Sequence, residues 1–254
     1  MRPLIGTSWK MNLTSSEADA WLAAVLPLVA DLSDRDLFVL SPYTAIWVAR
    51  QRLQRSAVAW GAQDVHLADG GAHTGDISAP MLADLGCRYV EIGHSERRRD
   101  HGETPELIAA KAAAVLRWGM RPVLCIGDPT PMATDEAVRL LLADLGRCLA
   151  GIDPTDLPRV VVAYEPWWAI GEGAASAEPE QVGAIHRSLA AWLAGQANGQ
   201  AVPVIYGGSV DVDSAPRLLA EPGVDGLFVG RYALDPGNFG RIAATPVGSA
   251  EEVR

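Results

Sequence analysis

A single carboxylate at the end of an apolar run is the residue best suited to chemistry in this sequence. Residues 160–164 are apolar and mostly β-branched, and Glu165 follows them directly. A proline, two tryptophans and a short glycine-bearing segment come next. A buried strand that ends in this way delivers an acid to the rim of a pocket, and the segment after it can cover the pocket. The pattern predicts a base for proton abstraction beneath a lid at residues 169–177.

Polar residues and glycines follow other apolar runs in the same manner. Lys10 follows the first run, His94 the fourth, residues 207–209 the seventh and Gly230 the eighth. The eight runs predicted as strands lie at residues 4–9, 37–41, 58–63, 89–93, 123–127, 160–165, 204–207 and 227–230. Amphipathic stretches separate them, and this alternation is typical of an α/β protein with a (β/α)8 barrel. In a closed barrel the ends of the strands converge, whereas a doubly wound open sheet, the alternative, keeps its first and last strands apart.

Composition and charge limit the classes of protein. The 254 residues are 49% hydrophobic and contain no linker-like break, so we expect one domain over residues 1–254. A formal net charge of -10 disfavours nucleic acid and anionic membranes as partners. A small anion can still bind locally at helix N-termini. No membrane-spanning run or signal-peptide core is visible, and Cys87, Cys125 and Cys148 cannot all pair and lack metal-ligand spacing. We therefore expect a reduced, cytoplasmic protein with no metal or organic cofactor.

Several short blocks, taken together, resemble the triosephosphate isomerase family over nearly the whole chain. The blocks lie at residues 9–12, 74–75, 93–98, 125–127, 164–166, 168–171, 206–210 and 226–230. Each is moderately specific alone, but their shared order and spacing make the resemblance strong. It implies a homodimeric isomerase that interconverts dihydroxyacetone phosphate and D-glyceraldehyde 3-phosphate through an enediolate, within glycolysis and gluconeogenesis.

The resemblance implies a role for each of four candidate catalytic residues. Glu165 would be the base, and the apolar rings beside it would raise its proton affinity by desolvation. His94 would be the electrophile, kept neutral because residues 95–97 resemble a helix start whose N–H groups disfavour an imidazolium. Lys10 would supply fixed positive charge, with Trp9 and Met11 forming an apolar wall around it. Glu96 would hold Lys10 in place; the alternative is a surface salt bridge to a neighbouring arginine.

The same resemblance implies the phosphate-binding and dimer-contact residues. Backbone amides of Gly171, Ser209, Gly230 and Arg231 would bind the phosphate, because N–H clusters bind oxyanions without bulk charge. Thr74, at the tip of the long connection 64–80, would insert into a partner subunit beside Lys10.

Three departures from the family pattern concern the choice of substrate. The predicted lid has Ala174 and Ala175 where lysine and threonine are usual, with Glu172 at its tip. Ser8 stands where the family usually has asparagine, and Arg231 stands where a second glycine is usual. Both features resemble the branch that isomerises L-erythrulose 1-phosphate in erythritol catabolism, and a serine in place of asparagine leaves extra room. This tetrulose phosphate is the alternative substrate.

Two other functional classes remain open from the sequence. One is a barrel that binds phosphorylated ligands without turnover, although such a binder needs no base. The other is a different phosphate-binding barrel, such as an aldolase. A Schiff-base aldolase would need a lysine in the pocket, and Lys111, the only lysine besides Lys10, falls on a predicted helix.

Overall fold

A computed structural model describes residues 1–169 and 177–246 and contains a closed barrel of eight parallel strands. The strands are β1 Leu4–Ser8, β2 Asp36–Ser41, β3 Ala59–Ala62, β4 Tyr89–Ile92, β5 Arg121–Ile126, β6 Val161–Tyr164, β7 Val204–Tyr206 and β8 Gly226–Val229. Strand β1 pairs with both β2 and β8, which closes the sheet. The closure confirms the predicted (β/α)8 barrel and excludes the open doubly wound sheet.

Helices surround the barrel. They are α1 Ser15–Val29, α2 Ile46–Leu53, α3 Ala79–Asp84, α4 Ser95–His101, α5 Pro105–Arg117, α6 Thr134–Cys148, α7 Pro179–Gln196, α8 Ala215–Ala220 and α9 Pro236–Ala243. The amphipathic stretches of the sequence coincide with most of them within a few residues, but the stretches identified do not include α3 and α9. No helix in the described ranges is long and apolar enough to cross a membrane.

Local sequence signals explain where helices begin. Thr14 and Glu17 form a capping box at the start of α1, in which the Glu17 carboxylate accepts a hydrogen bond of 2.8 Å from the Thr14 amide. Thr104 caps α5, and Pro105 occupies its first position, where a missing N–H costs nothing. These signals fix the ends of helices that must return the chain to the next strand.

Residues of each strand alternate between the barrel interior and the layer beneath the helices. The interior layer contains Leu4, Phe38, Leu40, Ala59, Tyr89, Val123, Cys125, Val161, Ala163, Ile205 and Phe228. The Phe38 ring stacks against Tyr89 and Phe228, with centroid distances of 4.6 Å and 5.7 Å. Gly6 leaves the space that this ring fills, because a Cβ there would overlap it. We call the three stacked rings the aromatic floor.

The same alternation determines which residues lie above the aromatic floor. Side chains at i and i+2 of a strand lie on one face, so Ser8 follows Gly6 inward, Glu91 follows Tyr89, and Glu165 follows Ala163. The carboxyl ends of the strands therefore deliver polar groups from three different strands to the space directly above an apolar core.

Candidate active site

A cavity of about 1320 Å³ opens at the carboxyl ends of the strands. It is lined by every predicted catalytic and substrate-binding residue that the structure describes, namely Ser8, Lys10, His94, Glu96, Glu165, Ser209, Gly230 and Arg231. Gly171 and the predicted lid tip at Glu172, Ala174 and Ala175 lie outside the described residues. The fold thus brings together groups that are up to 223 positions apart in the chain, a spread typical of a barrel site.

Glu165 is a buried carboxyl with one unsatisfied oxygen. Its side chain is only 3% exposed, and its Oε2 atom has no hydrogen-bond partner. The same oxygen lies 3.5 Å from Nε2 of His94. Burial, followed by repulsion from Glu91, raises the pKa of Glu165 well above its usual value. A carboxylate held in this state has a high affinity for a proton.

His94 is held in one orientation as the N-terminal cap of α4. Its Nδ1 accepts a hydrogen bond of 3.2 Å from the Glu96 amide, so we assign the ring proton to Nε2. Burial and the charge of Lys10 lower the pKa of His94 to about 4. The imidazole is therefore neutral at physiological pH and directs its N–H toward the cavity and Glu165.

Lys10 reaches the cavity through a strained backbone. Its φ angle of 53° lies in the left-handed region, which is unfavourable for a residue with a side chain. Its Nζ donates a hydrogen bond of 2.8 Å to Oε1 of Glu96. Although burial alone would raise it, the bond and charge of Lys10 hold the pKa of Glu96 below its usual value. The fold therefore holds a cation at the rim of the cavity by a local conformation that costs free energy.

The prediction of an apolar wall around Lys10 is half wrong. Trp9 is fully buried and contacts Trp21 edge to face, but the Met11 side chain is 97% exposed. The reason is the turn at Lys10, which directs the two neighbouring side chains to opposite sides. Within this chain, Met11 contributes nothing to the surroundings of Lys10.

Gly207 allows the seventh strand to approach Glu165 closely. A Cβ atom at this position would lie 2.7 Å from Cγ of Glu165. We therefore expect Gly207→Ala to displace the carboxyl and to lower kcat by about 10²-fold, the effect of a misplacement of about 1 Å. Steady-state kinetics of the folded variant measure this. Gly195→Ala on α7, where a Cβ meets nothing within 4 Å, is the control and should leave kcat unchanged.

Sequence reasoning missed Asp128, which fixes the backbone around Glu165. This buried carboxylate accepts hydrogen bonds of 2.8 Å from the Tyr164 hydroxyl and 2.6 Å from Nε1 of Trp168. Its backbone oxygen also accepts a bond of 2.9 Å from the Trp167 amide. Asp128 therefore contacts residues on both sides of Glu165. Its position two residues after the end of β5 was the only signal in the sequence.

Sequence reasoning also missed Glu91, which lies inside the barrel on β4. The side chain is buried and lines the cavity, and the Ser8 hydroxyl donates a hydrogen bond of 2.7 Å to its Oε2 atom. Burial raises the pKa of Glu91 to about 7. The signal for Glu91 in the sequence is an acid at an inward position of a short apolar strand.

A separate cluster on the loop between β3 and α3 has residue types that bind metal ions. Atoms of His66, His73 and Asp76 lie within 4.8 Å of one another, and two of these residues are exposed. Thr74, on the same loop, is also exposed. Neither Thr74 nor this cluster lines the cavity of the chain.

The family model described as triosephosphate isomerase matches residues 3–245. The chain belongs to the triosephosphate isomerase family. Relatives named triosephosphate isomerase include one from Roseiflexus sp. (strain RS-1), 42% identical over 244 residues, which cover 94% of this chain and 96% of that protein. Another, from Thermus thermophilus, is 42% identical over 242 residues, with the same two coverages.

Solved structures agree with the assignment to the triosephosphate isomerase family. The crystal structure of triosephosphate isomerase from Bartonella henselae superposes with a TM-score of 0.83 at 28% identity, covering 96% of this chain and 99% of that chain. Like its family, the chain is therefore an isomerase on a (β/α)8 barrel.

Proposed function

We propose that this chain interconverts dihydroxyacetone phosphate and D-glyceraldehyde 3-phosphate through an enediolate. The observation that carries the proposal is the pair formed by Glu165 and His94. A buried carboxyl with a free oxygen lies 3.5 Å from a neutral imidazole N–H, at a cavity that opens to solvent. A small molecule above both groups would have one carbon beside a base and one oxygen beside a hydrogen-bond donor, which is what enolisation requires.

The proposed steps move one proton between two carbons and one proton between two oxygens, so that the charges stay balanced. Glu165 removes a proton from the carbon next to the carbonyl, and the electron pair of the broken C–H bond forms the double bond of the enediolate. His94 donates a hydrogen bond from Nε2 to the oxygen that gains negative charge, gives that oxygen its proton, and takes the proton of the neighbouring hydroxyl group. Glu165 then returns a proton to the neighbouring carbon, which completes the shift of the carbonyl. Neither step needs a metal or an organic cofactor.

Lys10 and the backbone amides would bind the anionic parts of the substrate. The ammonium of Lys10 offsets charge on the phosphate and on the enediolate, and Glu96, 2.8 Å away, holds it in place. Ser8 lines the same cavity. Ser209, Gly230 and Arg231 also line it, and with Gly171 they are proposed to bind the phosphate through backbone N–H groups.

The position of Lys111 argues against a Schiff-base aldolase. Its ammonium lies on α5, buried, 2.6 Å from Asp64 and 2.5 Å from Glu103. It does not line the cavity, so it cannot form an imine with a ligand there. Lys10 is ion-paired with Glu96 at the rim, a position that suits a fixed charge rather than a nucleophile.

A coupled assay tests the proposed function directly. The purified chain is assayed with D-glyceraldehyde 3-phosphate and, side by side, with L-erythrulose 1-phosphate. We expect the triose to have the larger kcat/KM, since the named relatives are triosephosphate isomerases. A larger value for the tetrulose would assign the chain to erythritol catabolism instead of glycolysis and gluconeogenesis. Turnover of neither substrate, with a phosphate ligand still bound, would mean a binding protein.

We further propose that residues 1–254 form one domain that works as a cytoplasmic homodimer, with Thr74 inserted into the partner. The exposed tip at Thr74 supports this, as do exposed apolar side chains on the same chain, among them Met11 at 97%, Trp47 at 56% and Met81 at 55%. Large exposed apolar groups favour burial in an interface.

An arginine at the loop tip tests the proposed dimer. We expect Thr74→Arg to halve the mass measured by sedimentation. It should also lower kcat/KM by about tenfold or more, because the loop of the other subunit that carries Thr74 would no longer pack beside Lys10. Thr155→Arg, on an exposed loop between α6 and β6, is the control and should change neither quantity. A wild-type chain that sediments as a monomer would refute the dimer.

A further inference from the structure

The proposed enolisation assigns no role to the carboxyl of Glu91. It lies at an inward position of β4, one layer above Tyr89 of the aromatic floor, and only 3% of it is exposed. Buried carboxyls are rare in proteins unless they are paired or functional. Glu91 lines the cavity that contains Glu165, so its charge state bears on the reaction.

The contacts of Glu91 place it beside the base. Its Oε2 accepts the hydrogen bond of 2.7 Å from Ser8, and its Oε1 lies 3.9 Å from the Cys125 thiol. One of its oxygens, one oxygen of Glu165 and one ring nitrogen of His94 lie within 4.8 Å of one another. Two acids therefore lie close together in a space that the walls of the barrel shield from water.

No cation neutralises this pair at short range. Among the described residues, neither Glu91 nor Glu165 has a lysine or arginine within ion-pair distance, and Lys10 is engaged by Glu96. Two carboxylates this close repel each other strongly in a poorly solvated site, so the second ionisation is opposed.

The charged groups around Glu91 do not cancel this effect. Burial raises its pKa most, the Ser8 hydrogen bond and the charge of Lys10 lower it, and Glu96 and Asp64 raise it. The groups that face the pair are Lys10 after β1, Asp64 after β3, His94 and Glu96 at α4, and Cys125 on β5. Arg98, Arg99 and Arg231 line the same cavity. His94 is uncharged and the buried Cys125 thiol keeps its proton, so neither adds a charge. Lys10, Arg98 and Arg99 are each ion-paired with a carboxylate outside the pair.

We propose that Glu91 and Glu165 share a single proton at neutral pH, and that Glu91 acts through Glu165 as a positioning residue for that proton. In the reactive state the proton is on Glu91 and Glu165 is the ionised base. At low pH both acids are protonated and no base is present. At high pH both are ionised, and the second negative charge opposes an anionic substrate and its enediolate. The account of the reaction rests on the proposed function, whereas the sharing of the proton does not.

Three variants at one position test the effect on turnover. Glutamine imitates the protonated acid and leaves Glu165 as the only ionisable member of the pair, so Glu91→Gln should raise kcat/KM at neutral pH above that of the wild type, in which some molecules carry the shared proton on Glu165. Above the second ionisation, kcat/KM of the wild type should fall about tenfold per pH unit, and this fall should be absent in Glu91→Gln. Glu91→Asp keeps an ionisable group and should keep the fall, whereas Glu91→Leu should lose it. If the role of Glu91 were merely structural, the presence or absence of the fall at high pH would not depend on whether the residue at position 91 can ionise.

Titration of the carboxyls without substrate tests the shared proton independently of turnover. The carboxyl carbons of glutamate are labelled with carbon-13 and followed by NMR from mildly acidic to mildly alkaline pH. The last of the two protons in the wild type should have a higher apparent pKa than the single remaining carboxyl has in Glu91→Gln or in Glu165→Gln. Only the wild type contains a second carboxylate whose charge opposes this ionisation.

The outcomes separate this proposal from the proposed function. Equal titration of the wild type and both variants overturns the shared proton, even if the enzyme turns over. A shifted titration in a chain that isomerises neither sugar phosphate keeps the shared proton and refutes the proposed function. If Glu91→Gln does not fold, the wild type and Glu165→Gln decide alone, since Glu91 must lose its proton at lower pH in that variant than in the wild type.

Discussion

Replacement of Glu165 by glutamine is expected to lower kcat by about 10²- to 10⁴-fold, the usual contribution of a general base. The amide has nearly the shape of the carboxyl, so the buried space above Ala163 stays filled. The amide cannot accept a proton from carbon, so the variant has no base at this position. Binding of a phosphate-bearing substrate analogue should change far less, because the amides and Lys10 are untouched. Steady-state kinetics and calorimetric titration measure the two effects.

A second carboxyl-to-amide change controls for the substitution itself. Glu136 is exposed at the start of α6, so Glu136→Gln removes a negative charge without touching the cavity. Its kcat should equal that of the wild type. A Glu165→Gln variant with full activity would remove Glu165 as the base and with it the proposed chemistry.

Replacement of Lys10 by glycine is expected to lower kcat/KM by about 10²- to 10³-fold, the typical effect of removing one group that stabilises an oxyanion. The φ angle of 53° costs a side-chain-bearing residue free energy that glycine does not pay. The half-exposed ion pair with Glu96 contributes little that could offset this gain. The variant should therefore lose activity and keep or gain stability.

Lys10→Met separates the charge from the backbone. Methionine removes the ammonium but keeps the strained conformation, so both variants should lose activity alike. The glycine variant should have the larger free energy of unfolding, by about 1 kcal/mol, in urea titrations. Equal stabilities would mean that the turn at Lys10 stores no strain. Retained activity in either variant would mean that the charge is not required.

The sequence alone predicts the barrel because two kinds of pattern agree. Eight apolar runs alternate with amphipathic stretches, and polar residues or glycines follow five of them, Lys10, His94 and Glu165 among them. In the structure seven of the eight strands end one residue earlier than predicted, since the last residue of those runs begins a loop, and β2 ends at Ser41 as predicted. These features are local, and so they are visible without coordinates.

Features that depend on distant partners escaped prediction. The surroundings of Glu91 depend on Ser8, 83 positions earlier in the chain, whose hydroxyl donates a hydrogen bond to it across the barrel. Asp128 acquires its role from hydrogen bonds to Tyr164 and Trp168, about 40 residues later. The exposure of Met11 follows from one unusual backbone angle at Lys10. None of these leaves a periodic pattern in the chain.

The stacked rings of Phe38, Tyr89 and Phe228 close the bottom of the active-site cavity, so that it is open at one end only. Whatever enters through the mouth at the carboxyl ends of the strands must leave through it, so substrate and product exchange one at a time. A hydrogen lifted from a sugar can reach bulk water only by that same route. If that hydrogen is replaced by deuterium, the fraction of deuterium retained in the product compares two rates. One is the rate at which the abstracted proton exchanges with bulk water, and the other is the rate of turnover.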